Sequence, residues 1–181
     1  MERDEQGKVT VADSTCTLIN TKEGIIVVDP STDYMRPMIK KSFRQIGIFP
    51  KDVRHVVLTH SHRDHMGNLD LFGNAEVYIH AGEEKTVPEA KVIEDDEFLL
   101  VPGVRLVHTP GHTEGSMSVF VEAEKRYVIA GDAIPTESNF RKMTPPVSNC
   151  DPEAALQSIK MIKRYADVVV PGHGSPFMTH M

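Results

Sequence analysis

The chain has 181 residues, 40% of them hydrophobic, and carries 20 Lys plus Arg against 26 Asp plus Glu for a formal net charge of −6. That length and apolar content suit a single domain over 1–181 that buries its own core without staples, the strands and helices predicted along it make it α/β, and no apolar run approaches the roughly 18 residues needed to cross a bilayer. The acidic balance argues against a general nucleic-acid binder, which needs a basic face, without excluding one whose cations add positive charge; two distant Cys and a charged start fit a reduced cytoplasmic setting.

In chain order, residues 1–7 belong to no predicted element and read as a poorly ordered end. Strands are expected at 8–11, 15–20 and 24–29, joined by turn-forming residues, and Ile25-Ile26-Val27-Val28 is the continuous apolar run of a strand buried on both faces. Met35, Ile39, Phe43 and Ile46 recur at near-helical spacing, predicting a helix over 35–47 with Pro37 in its first turn and Gly47 as its stop. A short helix is expected at 67–72, then strands at 75–79, 104–108, 116–122 and 126–131. Asp151-Pro152-Glu153 opens a second long helix, with Asp as N-cap, Pro at the first turn and an acidic residue against the dipole. Its apolar stripe is Ala155, Leu156, Ile159, Ile162 and Ala166. Residues 133–150 carry three Pro and little periodicity, so they read as a long loop, with a substrate wall and a plain connection weighed evenly.

The chemistry is concentrated in His60-Ser61-His62-Arg63-Asp64-His65, directly after the apolar stretch Val56-Val57-Leu58-Thr59. Three of the nine His fall within six positions beside a carboxylate, which points to metal ligation. Residues 60 and 62 share a side if the backbone stays extended past a strand end, and Asp64 and His65 reach a second position once the chain turns at Gly67. One loop then serves two neighbouring metals. Three further pieces repeat the same grammar of apolar run, Gly and ligand-type side chain: Thr109-Pro110-Gly111-His112, Ile129-Ala130-Gly131-Asp132 and Val170-Pro171-Gly172-His173-Gly174.

The succession HxHxDH, TPGHT, GD and PGHG resembles the metallo-beta-lactamase superfamily, over about residues 11–177. Residues 11–18, 67–72 and 167–177 look closer still to its glyoxalase II-related members. The resemblance implies a four-layer αββα sandwich with the ligands at one edge. It implies that His60, His62 and His112 hold a first metal, that Asp64, His65 and His173 hold a second, and that Asp132 bridges both. Two divalent ions are implied, zinc first, with iron or manganese also compatible with these donors. The activity implied is a hydrolase that uses metal-bound hydroxide on a small ester-like substrate, a thioester or lactone, with Asp64 orienting the nucleophile and moving its proton. A phosphodiester-cleaving nuclease and a mononuclear iron persulfide dioxygenase stand as alternatives. Partners are a small-molecule substrate and no membrane, with a homodimer left open.

Other residues carry weaker readings. Asp29 is weighed evenly as a carboxylate orienting a ligand His and as a strand-end cap. Thr59, Thr109 and Ser116 are candidates to hydrogen-bond the ligands. His108 reads as a packed or surface residue, and His55, His80 and His180 read as surface residues. Cys150 reads as a free thiol, and Arg141 and Lys142 as solvated charges rather than a grip on substrate.

Overall fold

The structure is a computed structural model and describes residues 2–3, 9–83 and 87–180. A two-stranded ribbon pairs β1 (Glu2–Arg3) with β2 (Val9–Val11), so the described part of 1–7 is a strand rather than an irregular end; Lys8, expected in the first strand, lies outside the described residues. Two larger sheets follow. The first contains β3 (Thr17–Thr21), β4 (Gly24–Val28), β5 (Val53–Val57), β6 (Glu76–His80) and β7 (Lys91–Ile93), in that order across the sheet. The β3–β4 pair is antiparallel and the rest are parallel. The second contains β8 (Glu97–Val101), β9 (Val104–His108), β10 (Met117–Glu122), β11 (Arg126–Gly131), β12 (Val168–Pro171) and β13 (Phe177–Met178), all antiparallel neighbours except β11–β12.

Strand alternation builds three apolar layers and hence four structural ones. Ile26, Val28 and Val57 of one sheet meet Val104, Leu106, Met117, Val119, Ile129 and Val170 of the other between the sheets. On the outer face of the first sheet, Val27, Val56 and Leu58 pack against Ile39 and Phe43 of α1 (Arg36–Gln45). On the outer face of the second, Phe120, Val128, Ala130 and Val169 pack against Ile159 and Ile162 of α4 (Pro152–Tyr165). The order of layers is therefore α, β, β, α. Ile26, Val27 and Val28 have no exposed surface, as the continuous apolar run required.

Helix boundaries follow local chemistry. Asp151 caps α4 by accepting the backbone N–H of Glu153 at 2.9 Å and of Ala154 at 3.0 Å through Oδ1. Along its predicted stripe Ala155, Ile159, Ile162 and Ala166 are buried and Leu156 is half-buried. Helix α1 stops at Gln45, with Gly47 at φ +70°, so Ile46 lies past its last turn and is 58% exposed instead of sharing the buried stripe. Residues 67–72 form a 3-10 turn at Leu69–Phe72, preceded by the one-turn helix α2 (Arg63–Met66). The expected long loop contains α3 (Glu137–Lys142), anchored by Phe140 and by Ala133 and Ile134, all fully buried under the second sheet. A single buried aromatic per turn leaves no periodic signature in so short a helix. No described helix is long and apolar enough to cross a membrane.

Candidate metal centre

Strand ends from both sheets converge on one edge of the sandwich. The first sheet delivers Asp29 after β4 and His60 after β5; the second delivers His112 after β9, Asp132 after β11 and His173 after β12. A hydrogen bond from Met117 N to Thr59 O, 2.8 Å, ties the two sheets together at this edge. The chain runs extended through His62, with ψ 143°, and then enters α2. The turn that separates His60 and His62 from Asp64 and His65 therefore begins at Arg63 rather than at Gly67. Gly172 approaches the centre so closely that a Cβ there would fall 2.1 Å from Asp132 Oδ1.

The seven side chains singled out by motif come together. Those of His60, His62 and His112 form one group able to hold a cation, Asp64, His65 and His173 form another, and His60, His65 and Asp132 join the two. His62 Nδ1 lies 2.9 Å from His60 Nε2 and 3.0 Å from His112 Nε2. Asp132 stands between the groups with one oxygen toward each: Oδ2 is 3.5 Å from His112 Nε2, and Oδ1 is 3.2 Å from His173 Nε2 and 3.6 Å from His65 Nε2. Asp64 Oδ2 lies 3.6 Å from His173 Nε2 and 4.0 Å from His65 Nε2.

Partners outside the seven fix which ring nitrogen carries a proton. Thr59 Oγ1 donates to Asp29 Oδ2 at 2.7 Å, so at 3.0 Å it accepts from His60 Nδ1. The Nδ1 of His65 donates to Asp29 Oδ2 at 2.8 Å, that of His112 to the Ser148 carbonyl at 2.7 Å, and that of His173 to the Asp13 carbonyl at 2.8 Å. With Nδ1 protonated, each ring in its neutral form turns an Nε2 lone pair inward. His65 Nε2 and Asp132 Oδ1 are buried with no hydrogen-bond partner, their mutual 3.6 Å being too long. Inward lone pairs and orphaned buried polar atoms suit a donor set for cations.

Electrostatics divide the centre. Burial, then the neighbouring rings of His65 for His60 and His112 for His62, hold these two imidazoles below the usual range and therefore neutral. Burial would also lower His65, but the Asp29 and Asp132 carboxylates outweigh it and raise the ring to about 10. Burial would raise Asp132, yet His173 and His65 together hold its carboxyl well below the usual carboxylate range.

Asp29 is thus an orienting carboxylate, gripping His65 directly and His60 through Thr59, and its Oδ1 also accepts the Thr59 N–H at 2.8 Å. Thr109 instead bonds Ser118, and Ser116 bonds Thr113. Residues missed in the sequence are Ser148 and Asp13, which act through backbone carbonyls and so leave no side-chain signal, and Glu83, whose carboxylate bonds Ser61 and Thr113. His108 stands apart from the seven, its ring stacked on His80 at 4.0 Å between centroids. His180 is exposed, but His55, in the middle of β5 with its ring edge-on to Tyr78 at 5.6 Å, and His80, the last residue of β6, are buried rather than facing solvent. Arg141 is a structural brace, paired with Glu137 at 3.0 Å and donating to the Thr179 carbonyl at 2.9 Å. Cys150 is free and exposed.

Comparison with known proteins gives the same grouping. The metallo-beta-lactamase superfamily model matches residues 9–99 and 81–173. Metallo-beta-lactamase domain-containing protein 1 of Xenopus laevis is 32% identical over 97% of this chain and 76% of its own length. An N-acyl homoserine lactonase of Bacillus thuringiensis is 28% identical over 92% of this chain and 83% of its own. A crystal structure of a point mutant of the Bacillus thuringiensis protein AiiA with N-decanoyl-L-homoserine at its active site superposes with a TM-score of 0.74 at 27% identity, covering 87% of this chain and 80% of that one. The chain therefore belongs to the metallo-beta-lactamase superfamily and is one of its hydrolases.

Proposed function

We propose that this hydrolase works with two divalent cations, zinc first, on a small ester-like substrate, a lactone or thioester. The reading takes 1–181 as one cytoplasmic unit in which His60, His62 and His112 hold one cation, Asp64, His65 and His173 the other, and Asp132 both. The observation that carries it is the split of Asp132, whose two oxygens face different groups at 3.5 and 3.2 Å. Bound there, the cations would supply a water acidic enough to attack near neutral pH and a positive field for the developing oxyanion.

The chain's own residues supply the rest. Asp64, the more open of the two central carboxylates with 25% of its side chain exposed against 11% for Asp132, would orient the attacking water and pass its proton to the leaving oxygen or sulfur. Asp29, Thr59 and the Ser148 and Asp13 carbonyls keep the rings from turning, so the donors need no reorganisation during reaction. The lactonase relatives support a lactone, and the resemblance of the motifs to glyoxalase II-related members of the superfamily supports a thioester.

The test is metal analysis of protein purified without chelator, together with hydrolysis of an N-acyl homoserine lactone, a generic thioester and bis(4-nitrophenyl) phosphate. About two metal equivalents with turnover of the lactone or thioester is the expected result. A single iron equivalent without hydrolysis, or turnover of the phosphodiester alone, overturns it.

A further inference from the structure

Beyond the centre, one buried carboxylate has no place in the motifs. Glu83 follows β6 and is 8% exposed. Its Oε2 accepts from Ser61 N at 2.8 Å and from Ser61 Oγ at 2.6 Å, while Oε1 accepts from Thr113 Oγ1 at 2.5 Å. Ser61 sits between His60 and His62, and Thr113 directly follows His112. One carboxylate therefore clasps the two loops that bring all three imidazoles of one group.

The surrounding backbone is shaped for that clasp. Gly82 and Gly115 face each other, and a Cβ on Gly115 would fall 2.5 Å from Glu83 N and 2.6 Å from Gly82 C. Two loops from different sheets thus approach to backbone contact, which lets a side chain as short as Glu reach both. Thr113 is itself tied to Ser116, with Oγ atoms 2.6 Å apart and Thr113 N donating to Ser116 Oγ at 3.1 Å, so the Glu83 contact meets a braced turn. Hydrogen bonds to an ionised acceptor are stronger than neutral ones. The Asp64–His65–His173 group has separate supports, in Asp29 and the Asp13 carbonyl.

We infer that Glu83 is a positioning residue that sets the spacing of His60, His62 and His112, and so the metal affinity of that group and not of the other. The inference rests on the metal reading proposed above. Its Oε atoms face Ser61 and Thr113, not the centre, so it acts through the loops and touches no reacting atom.

Cobalt(II) titration followed by visible absorption tests it, with thermal melting recorded alongside. E83A should weaken one of two binding classes by roughly 10- to 100-fold, the range for loss of a group that orients ligands, and leave the other unmoved. E83Q keeps an oxygen for Ser61 and an amide that Thr113 Oγ1 can accept, so it should recover most of that loss. Where E83A does not fold, T113V removes the Thr113 arm and S61A the hydroxyl bond of the Ser61 arm, leaving its backbone N–H in place, and each should weaken the same class, T113V the more. The inference is overturned if both classes weaken together, if neither moves, or if E83Q is as impaired as E83A. Wild-type protein that takes up no cobalt removes the metal reading itself, whereas normal wild-type uptake with an unaltered E83A removes only the role of Glu83.

Discussion

The two halves of the centre meet at Asp132 but are held by opposite electrostatics. His60, His62 and His112 are backed by a hydroxyl and a carbonyl, and burial keeps His60 and His62 neutral. In the other half, Asp29 and Asp132 raise His65, and Asp132 with the Asp13 carbonyl raises His173, both despite burial, while Asp64 lies beside both rings. One half offers a cation neutral nitrogens, while the other offers net negative charge. The contrast shows that the same side chain can be set in two charge states: neutral, by excluding water from the ring, or charged, by placing carboxylates beside it.

The largest effect should come where the halves join. D132A removes a carboxylate whose two oxygens face different groups, so it should lose most bound metal and slow hydrolysis by roughly 100-fold or more. Elemental analysis and turnover measured together check this, and full metal content at full rate would take Asp132 out of the centre. Next comes the shared brace. Asp29 holds φ +51°, a conformation that Asn tolerates well, so D29N should keep the backbone while weakening its grip on His65 and, through Thr59, on His60. Metal affinity should fall in both halves by about 10- to 100-fold. T59V sharpens the comparison by breaking only the arm to His60. It leaves that ring's N–H unpaired, at about 1–3 kcal/mol, and should weaken the three-imidazole half alone in the same titration.

How much of this was legible in the sequence depended on what kind of atom does the work. The layers were readable because strand alternation and helical stripes are written in side-chain type: Ile26, Val27 and Val28 announced a strand covered on both faces, and Ala155, Ile159 and Ile162 a helix laid on a sheet. The seven central residues were readable because each follows an apolar strand in a compact motif. Short edge strands at Lys91–Ile93 and Phe177–Met178 escaped because two or three residues carry no period. The Ser148 and Asp13 carbonyls escaped because any residue type offers one. Glu83 escaped for a third reason: it lies 22 residues from Ser61 and 30 from Thr113, and only the approach of Gly82 to Gly115 makes them neighbours.

Smaller effects should mark the border of the centre. His108 Nε2 lies 2.8 Å from the Glu114 carbonyl and its ring packs on His80, away from both groups. H108A should leave metal content unchanged and cost about 1 kcal/mol of stability through the lost hydrogen bond. Loss of a metal equivalent would extend the centre to that strand.

The smallest expected effect concerns the two cysteines. Burial, and then the charge of Asp29, push the Cys16 thiol up to about 12, whereas Cys150 is exposed. A raised thiol pKa means that the reactive thiolate stays scarce through pH 7–9 and grows only as pH climbs toward 12. Iodoacetamide at pH 8 should therefore label Cys150 and spare Cys16 in the native protein, with both labelled in denaturant, as read by mass spectrometry. Cys16 sits three residues after Asp13, whose carbonyl holds His173. Labelling of Cys16 as fast as Cys150 would mean that this segment opens, and the half of the centre gripped by carboxylates would then be the looser of the two.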